Sequence, residues 1–213
     1  MSDALSDASL ARPERPARPL RSHRVRLRTI ADGDSAFLYE LMSSPDAGGR
    51  VRFAGATPSP QQIASTLWDN VLAQFIVESV SARGPLGLVA LTSPNFRDGW
   101  AYLSAVGTPA AQGSGLVAEG VMLAFDHAFR SWPFRKIYME VSETSYPAFR
   151  SGLGRCFVEE GRLREHAFWD GRYTDLFILS VPRSTWVALA PAALGRDLRP
   201  VTDGPAPAGR SPA

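Results

Sequence analysis

A short turn of the chain carries residue types that bind phosphate. Gln112, Gly113, Ser114 and Gly115 stand between a predicted strand, residues 100–106, and an amphipathic segment, residues 116–129. Unpaired N–H groups point outward at a helix N-terminus, and the helix dipole adds positive charge there. Glycine lacks a Cβ atom and lets an anion approach closely. The pattern therefore predicts a phosphate-binding turn.

Two common phosphate loops do not fit this turn. No Gly-Lys-Ser/Thr follows, as a Walker loop requires, and the third glycine of a dinucleotide-binding fingerprint is absent. The residues leave a second interpretation open, in which Gly113 and Gly115 only let the chain turn into a buried helix.

Histidine and cysteine usage argues against a metal site. His23, His127 and His166 lack zinc-ligand spacing. Cys156 is the only cysteine, which excludes an intramolecular disulfide and a cysteine-based cluster. We interpret Cys156 as a small core residue, because no neighbouring pattern would activate its thiol.

The elements around the turn alternate between strand and helix periodicity. Strands are predicted at residues 24–30, 75–80, 86–92, 100–106, 136–141, 162–168 and 174–181. Helices are predicted after Asp32, at residues 61–72 with Ile63, Leu67 and Val71 on one stripe, at 116–129 and at 146–153. In the third helix we expect Glu119, Asp126 and Arg130 on the polar face. The 136–141 strand should run parallel to the 100–106 strand, because a helix connects them.

Composition separates one body from two tails. The 213 residues carry a net charge of +2, and 45% are hydrophobic, which suits a single globular domain. Residues 1–23 and 195–213 are rich in Pro, Arg, Ala or Gly and are predicted to be disordered, with the domain at 24–190. The basic first tail could touch an acidic partner or have no ligand. No apolar run could span a bilayer or act as a signal peptide, so we expect a cytoplasmic protein.

Read with its flanks, the turn resembles a known motif. Gln112 to Val117 resembles the acyl-CoA-binding pattern of the GNAT acyltransferases, Gln/Arg-x-x-Gly-x-Gly/Ala, with Val117 departing from the final small residue. Three downstream runs resemble the branch that acetylates N-termini of ribosomal proteins and its small-molecule-modifying relatives. These runs are residues 141–150, 157–161 and 170–175, and the resemblance covers about 24–186.

This resemblance implies an α+β fold and an activity. The expected fold is a mixed, mostly antiparallel sheet, splayed after Val106 between its central parallel strands, with helices on both faces. The expected activity is an acyl-CoA-dependent N-acyltransferase that uses acetyl-CoA or another acyl-CoA and no metal. Its acceptor would be a primary amine of a small molecule or of a peptide or protein N-terminus, which attacks directly in a ternary complex.

The resemblance also assigns site residues. The pyrophosphate would lie on the amides of Gln112, Gly113, Ser114, Gly115, Leu116 and Val117. Edge groups of Ser104 and Val106 would pair with the pantetheine, and the Val106 amide would polarise the thioester carbonyl. Ser145 stands where the family often has an asparagine that contacts the pantetheine arm. Acceptor residues are expected beside the first helices, at Arg50, Arg52, Phe53 and Trp68. Taken as isolated residues, the four fit packing and solvated charge better.

The catalytic base is the weakest part of the pattern. Tyr102 stands where the family commonly has a glutamate, and a phenol with a pKa of about 10 is a poor base at neutral pH, although it can position a water molecule. Glu78, Asp98 and Glu140 are alternatives, unless they are surface charges. Tyr102 could also belong to the core.

Three functions therefore remain open from sequence. The first is the N-acyltransferase. The second is a CoA-binding module that has lost its chemistry, suggested by Tyr102, Ser145 and Val117 together. The third is a peptide- or tRNA-binding scaffold that uses the arginine-rich tail, although nucleic acid is not the expected partner. No membrane partner is expected, and the chain could form a homodimer.

Overall fold

The computed structural model describes residues 20–44, 53, 56–81 and 84–194. Most of both predicted tails, together with Arg50 and Arg52, lies outside these residues. Residues 20–23, predicted as the end of the first tail, contact the body instead. The Leu27 N–H group donates to the Leu20 carbonyl at 2.7 Å, and the Leu20 side chain packs against the core.

One seven-stranded sheet forms the centre of the protein. Its strands are β1 (Val25–Arg28), β2 (Val71–Ser79), β3 (Pro85–Asn95), β4 (Trp100–Gly107), β5 (Lys136–Ser142), β6 (Val158–Trp169) and β7 (Arg172–Pro182). Their order is β1-β2-β3-β4-β5-β7-β6, and only the β4–β5 pair is parallel. The predicted mixed, mostly antiparallel sheet is confirmed.

Helices cover both faces of the sheet. They are α1 (Ser35–Ser43), α2 (Pro60–Thr66), α3 (Leu116–Ser131) and α4 (Arg183–Leu194), and short 3₁₀ turns span Asp32–Asp34, Pro109–Ala111 and Tyr146–Gly152. α3 and α4 pack on one face, where Phe125 and Trp186 have ring centroids 5.5 Å apart. α1 and α2 cover Ile76 and Leu88 on the other face.

The two faces follow from strand periodicity, because successive side chains point to opposite sides. Ala101 and Leu103 of β4 are buried in the same core as α3. The residues between them therefore point to the opposite face, the face that α1 and α2 cover at β2 and β3. We call it the α1/α2 face; Tyr102 and Ser104 lie on it.

The helix predicted at 61–72 is shorter. α2 ends at Thr66, and Val71 begins β2. Asn70 has a positive φ of 56°, in the left-handed region that ends a helix. The prediction rested on the four-residue spacing of Ile63, Leu67 and Val71. That spacing fits one helical stripe, but it also fits residues that lie in a helix, a turn and a strand in succession.

The predicted polar face of α3 was wrong at two positions. Glu119 and Asp126 are buried, at 5% and 4% exposure. Each carboxylate has an arginine partner: Arg24 Nε lies 2.6 Å from Glu119 Oε2, and Arg130 Nε lies 2.9 Å from Asp126 Oδ1. These ion pairs let the two charges leave water.

Sequence analysis did not predict α4. Its first residue, Arg183, donates from three guanidinium nitrogens to the carbonyls of Phe129, Trp132 and Phe134 at 2.5–2.6 Å. These bonds satisfy carbonyls at and after the C-terminal end of α3. They also fix α4 against α3.

An ion-pair network joins β1 to the start of α1. Arg28 donates to both carboxylate oxygens of Asp34, at 2.6 and 2.7 Å, and to Glu78 at 2.5 Å. Asp34 also accepts from the Ala31 N–H group at 2.7 Å. The hydrogen bonds from Arg28 are the largest cause that lowers the pKa of Asp34 below 3.8.

We expect Asp34→Asn to lower the free energy of unfolding by roughly 3 kcal/mol, because Arg28 loses its two charge-assisted hydrogen bonds to Asp34 and keeps only Glu78 as a carboxylate partner. The melting temperature should fall by about 6–12 °C. A carboxylate with a depressed folded pKa stabilises above its unfolded pKa, and that stabilisation is lost as pH falls through the folded value. The difference between wild type and variant, measured by urea unfolding, should therefore shrink below pH 3.8.

Asp32→Asn is the matched control, because Asp32 is exposed two residues away. Equal unfolding curves for the two variants would show that the Arg28–Asp34 pair contributes nothing.

Candidate active site

The predicted phosphate-binding turn has the backbone conformation that its glycines allow. Gly113 and Gly115 have φ of 71° and 74°, and Gly115 is the N-cap of α3. The Ser114 hydroxyl donates to the Ala111 carbonyl at 2.6 Å and accepts from the Leu116 N–H group at 3.2 Å. The turn is therefore held by its own hydrogen bonds.

Several N–H groups of the turn remain available to a ligand. Those of Gly113, Gly115, Val117 and Ala118 have no hydrogen-bond partner within the described part of the chain. The Arg24 guanidinium lies beside the turn: its Nε pairs with Glu119, and its Nη2 lies 3.7 Å from the position that a Cβ on Gly115 would take. Exposed donors, a helix N-terminus and a guanidinium together fit an anion of the pyrophosphate kind.

The central parallel strands part next to this turn. β4 and β5 pair only at Trp100 with Lys136, Ala101 with Ile137 and Tyr102 with Tyr138. The gap therefore opens after Tyr102. The sequence analysis had placed its opening further along β4, after Val106. Residues 103–107 form one side of the gap.

The register of β4 decides which backbone groups face the gap. Thr108 N–H donates to Leu86 on the β3 side at 2.8 Å, whereas the Gly99 carbonyl accepts from Arg135 on the β5 side at 2.7 Å. Because the hydrogen-bonding direction alternates along a strand, residues 103, 105 and 107 face the gap. We call the backbone groups of Leu103, Ala105 and Gly107 the free edge.

This alternation corrects the predicted edge by one residue. By the same alternation, the backbone groups of Ser104 and Val106 are directed at β3, where Ala90 and Leu88 stand opposite them, and away from the gap. The Ser104 side chain lies on the α1/α2 face. Neither residue presents its amide to a ligand in the gap.

Val117 is accommodated by a glycine on β4. Its Cγ2 atom lies 3.0 Å from the position that a Cβ on Gly107 would take. The bulk that departs from the family pattern is therefore directed at Gly107. In the family pattern a small residue at the start of the helix leaves room beside the strand. Here Gly107 on β4 leaves that room, because it has no side chain.

Ser145 lies just beyond β5, at the C-terminal end of the strand that parts from β4. Its hydroxyl accepts from Ser142 Oγ at 3.1 Å, and its N–H group donates to the Ser142 carbonyl at 3.0 Å. The Ser145 side chain is exposed and keeps its hydroxyl hydrogen for another partner.

Tyr102 is not a base in this structure. Burial is the main cause that raises the pKa of its phenol above 10, and the nearby Glu140 and Tyr138 add to the shift. The phenol therefore stays protonated at neutral pH. It can donate a hydrogen bond but cannot accept the proton of an amine.

The three alternative carboxylates differ in position. Glu78 lies on β2 and is paired with Arg26 and Arg28. Asp98 lies in the turn before β4, where Asn95 donates to it at 2.9 Å, at the end of the strand away from the gap. Glu140 alone among the three lies on a strand that borders the gap, and its side chain is exposed.

Two of the predicted acceptor residues, Phe53 and Trp68, lie within the described residues. Phe53 packs against the core cluster of α1 and α2. Trp68 is 56% exposed in the turn between α2 and β2. The other two, Arg50 and Arg52, lie outside the described residues.

One curated relative decides the family. No protein-family model matches the chain. The spermidine N(1)-acetyltransferase of Vibrio cholerae is 30% identical over 119 residues, which are 56% of this chain and 68% of that enzyme. The chain belongs to the GNAT N-acetyltransferase superfamily. It is an N-acyltransferase with acetyl-CoA as co-substrate.

Solved structures agree with the GNAT assignment. The Vibrio cholerae spermidine N-acetyltransferase in complex with CoA and spermine matches with a TM-score of 0.66 and 26% identity, over 76% of this chain and 97% of that one. A spermidine N-acetyltransferase chimera that includes the Vibrio cholerae enzyme matches with a TM-score of 0.65, 26% identity and the same coverage. These structures do not identify the ribosomal-protein branch that the sequence suggested.

The residues of this GNAT chain fit its co-substrate. When bound, acetyl-CoA supplies an acetyl group activated as a thioester, which an unprotonated amine attacks. The free N–H groups of Gly113, Gly115, Val117 and Ala118 suit the pyrophosphate, whereas those of Gln112, Ser114 and Leu116 already have partners within the turn. The free edge suits an extended arm with amide groups. Any N–H group of the free edge near the reacting carbonyl could stabilise an oxyanion.

Four features of the candidate site were not predicted from the sequence. They are the free edge, Arg24 beside the turn, and the side chains of Trp100 and Tyr138. A signal for the last two existed, because Trp100 and Tyr102 alternate on β4 as Lys136, Tyr138 and Glu140 do on β5. Pairing the two patterns would have placed Tyr138 beside Tyr102.

The remaining sequence expectations concern Cys156, metals and membranes. Cys156 is half-buried, and burial is the main cause that raises the pKa of its thiol, so it is not an activated nucleophile. No group of three or more potential metal ligands occurs among residues 20–44, 53, 56–81 and 84–194. None of the helices in those ranges is long and apolar enough to cross a membrane.

Proposed function

We propose that this protein transfers the acetyl group of acetyl-CoA to a primary amino group of a polyamine such as spermidine. The observation that carries this proposal is the 30% identity to a spermidine N(1)-acetyltransferase over 68% of that enzyme. It is supported by the structure bound to CoA and spermine, which resembles this chain over 97% of its length.

The proposed roles of the chain's groups follow from their positions. The N–H groups of Gly113, Gly115, Val117 and Ala118 bind the pyrophosphate, with Arg24 beside them. The free edge binds the pantetheine arm, with the Ala105 N–H group as the donor to the developing oxyanion. Ser145 contributes a hydroxyl from the opposite side of the gap.

Proton removal sets a condition on the acceptor. Tyr102 is protonated. Glu78 is ionised, but its charge is balanced by ion pairs with Arg26 and Arg28. A reacting amine must then reach the site already neutral, or lose its proton to bulk water. The rate should climb as pH rises towards the pKa of the acceptor amine.

A peptide or protein N-terminus is the other acceptor that the sequence suggested, through the resemblance to the ribosomal-protein branch. An α-amino group has a pKa near 8 and is more often neutral at pH 7 than a polyamine nitrogen. A peptide N-terminus would therefore be the more reactive acceptor in a site without a base. A homodimer and a cytoplasmic location remain predictions of the sequence.

Intact-mass spectrometry should show one added acetyl group on spermidine when purified protein and acetyl-CoA are present. We expect the rate to rise by roughly tenfold per pH unit below the acceptor's pKa, because only the neutral amine reacts. Spermidine, spermine, hexylamine and an alanyl peptide should be compared. Acetylation of the peptide alone would replace the polyamine proposal with the N-terminal one. No product with any amine, together with stabilisation by CoA, would indicate a binding module without chemistry.

A further inference from the structure

Three aromatic side chains form a cluster at the point where β4 and β5 part. Trp100 and Tyr102 have ring centroids 5.9 Å apart, Tyr102 and Tyr138 5.6 Å, and Trp100 and Tyr138 6.0 Å. All three rings are half-buried on the α1/α2 face, because the residues that alternate with them, Ala101 and Ile137, are buried beside α3. We call this the aromatic cluster.

A cation already lies against this cluster. Lys136 Nζ is 5.2 Å from the centroid of the Tyr138 ring, within the range of a cation–π contact. The same nitrogen is 2.6 Å from Glu160 Oε1, which also accepts from the Ser180 hydroxyl at 2.7 Å. The lysine charge is therefore neutralised within the fold. One side of the cluster binds an ammonium with a carboxylate beside it.

A second carboxylate lies on the other side of the cluster. Glu140 is two residues beyond Tyr138 on β5, so it shares the α1/α2 face and lies past the last β4–β5 pair. Its side chain is exposed and forms no salt bridge with another described residue. Its charge reaches Tyr102, where it helps to raise the pKa of the phenol. The cluster therefore has a carboxylate without a cation at the mouth of the gap.

We propose that Glu140 and the rings of Tyr102 and Tyr138 bind a second, non-reacting ammonium group of the acceptor. This inference rests on the proposed polyamine acetylation and names the residues that select for it. A carboxylate and aromatic faces both favour the charged form of an amine. An amine bound there stays protonated and cannot attack a carbonyl. The group bound at the cluster is thus the anchoring end of the acceptor.

The length of the strand sets the spacing between anchor and reacting end. Glu140 is level with Ser104, because it lies two residues past the Tyr102–Tyr138 pair, so its carboxylate stands between the rings and Ala105. From Tyr102 to Ala105 the strand covers three residues, about 10 Å. That distance is of the order of an extended diamine or triamine. A monoamine could occupy the cluster or the reacting position but not both. The arrangement therefore selects acceptors that carry a second cation.

Glu140→Gln tests this inference, because it removes the charge and keeps the size of the side chain. We expect spermidine binding to the protein without acyl-CoA, measured by calorimetry, to weaken about tenfold or more. The KM for spermidine should rise by the same factor with little change in kcat. The KM for hexylamine should not change, because hexylamine has no second ammonium. Glu143→Gln is the matched control, since Glu143 is also exposed and lies just beyond β5.

Tyrosine variants separate the ring from the hydroxyl. Tyr102→Phe keeps the aromatic face and should bind spermidine within twofold of wild type, whereas Tyr102→Leu should weaken binding several-fold. Equal spermidine affinity and KM in wild type and Glu140→Gln would overturn the inference and leave polyamine acetylation intact. Wild-type protein that acetylates only peptides would instead refute the proposed function. Protein that neither binds nor acetylates spermidine would overturn both.

Discussion

Gly115→Glu should abolish the stabilisation of the protein by CoA and lower kcat/KM for acetyl-CoA by at least about 100-fold. Hydrogen bonds to a charged group contribute roughly 1.5–3 kcal/mol each, and the substitution disturbs more than one of them. Gly115 has a φ of 74°, and its N–H group belongs to the turn. A carboxylate there would repel the pyrophosphate and would pair with Arg24, whose Nη2 lies 3.7 Å from the Cβ position. Thermal melting with millimolar CoA measures the loss, because a ligand that binds the native state raises its stability.

The control for this variant must carry the same backbone strain and the same charge. Gly171→Glu does so, because Gly171 has a φ of 75° in the β6–β7 hairpin, away from the turn. We expect it to lower the melting temperature without CoA and to retain the full shift with CoA. A Gly115→Glu protein that still responds to CoA like Gly171→Glu would show that the turn does not bind the pyrophosphate.

Most of the fold could be predicted because it is encoded in local periodicity. The alternation in β4 and the helical spacing in α3 each identify an element, and a helix between two strands makes them parallel. The end of α2 could not be found in this way. Ile63, Leu67 and Val71 fit a helical stripe, and the turn at Asn70 depends on a conformation that asparagine tolerates but does not require.

The conformation of the predicted phosphate-binding turn could be anticipated from sequence, because two glycines at the start of a helix are a local pattern. The free edge could not, because the direction of each amide depends on how β4 is registered against β3, and one residue of error reverses it. Glu119 was expected on a solvated face because its partner, Arg24, is 95 residues away. The approach of Tyr102 and Tyr138 likewise depends on pairing between distant strands. Such groups become visible only when the register is known.

Ala105→Pro should reduce kcat by about 100-fold or more, because it removes the one N–H group that we assign to the developing oxyanion. The substitution should be tolerated by the fold. By the alternation along β4, the Ala105 N–H group faces the gap and makes no hydrogen bond to β3, and proline is accepted where the N–H side of a strand is free. We therefore expect a melting temperature near that of wild type and an unchanged shift with CoA. Stopped-flow or mass-based turnover with saturating acetyl-CoA and spermidine measures the loss.

Val106→Pro gives the opposite pattern and makes the test decisive. By the alternation along β4, the Val106 N–H group is directed at Leu88 in β3, so its proline variant removes a bond within the sheet and should lower stability by about 3 kcal/mol, or about 6–12 °C in melting temperature. If Ser104 and Val106 faced the gap instead, as the sequence suggested, Val106→Pro would be folded and inactive, and Ala105→Pro would be the unstable protein. The two melting curves thus determine which backbone amides face the gap, independently of any turnover measurement. Turnover then determines whether the Ala105 amide acts on the reaction: a folded Ala105→Pro protein with wild-type kcat would remove this amide from the chemistry.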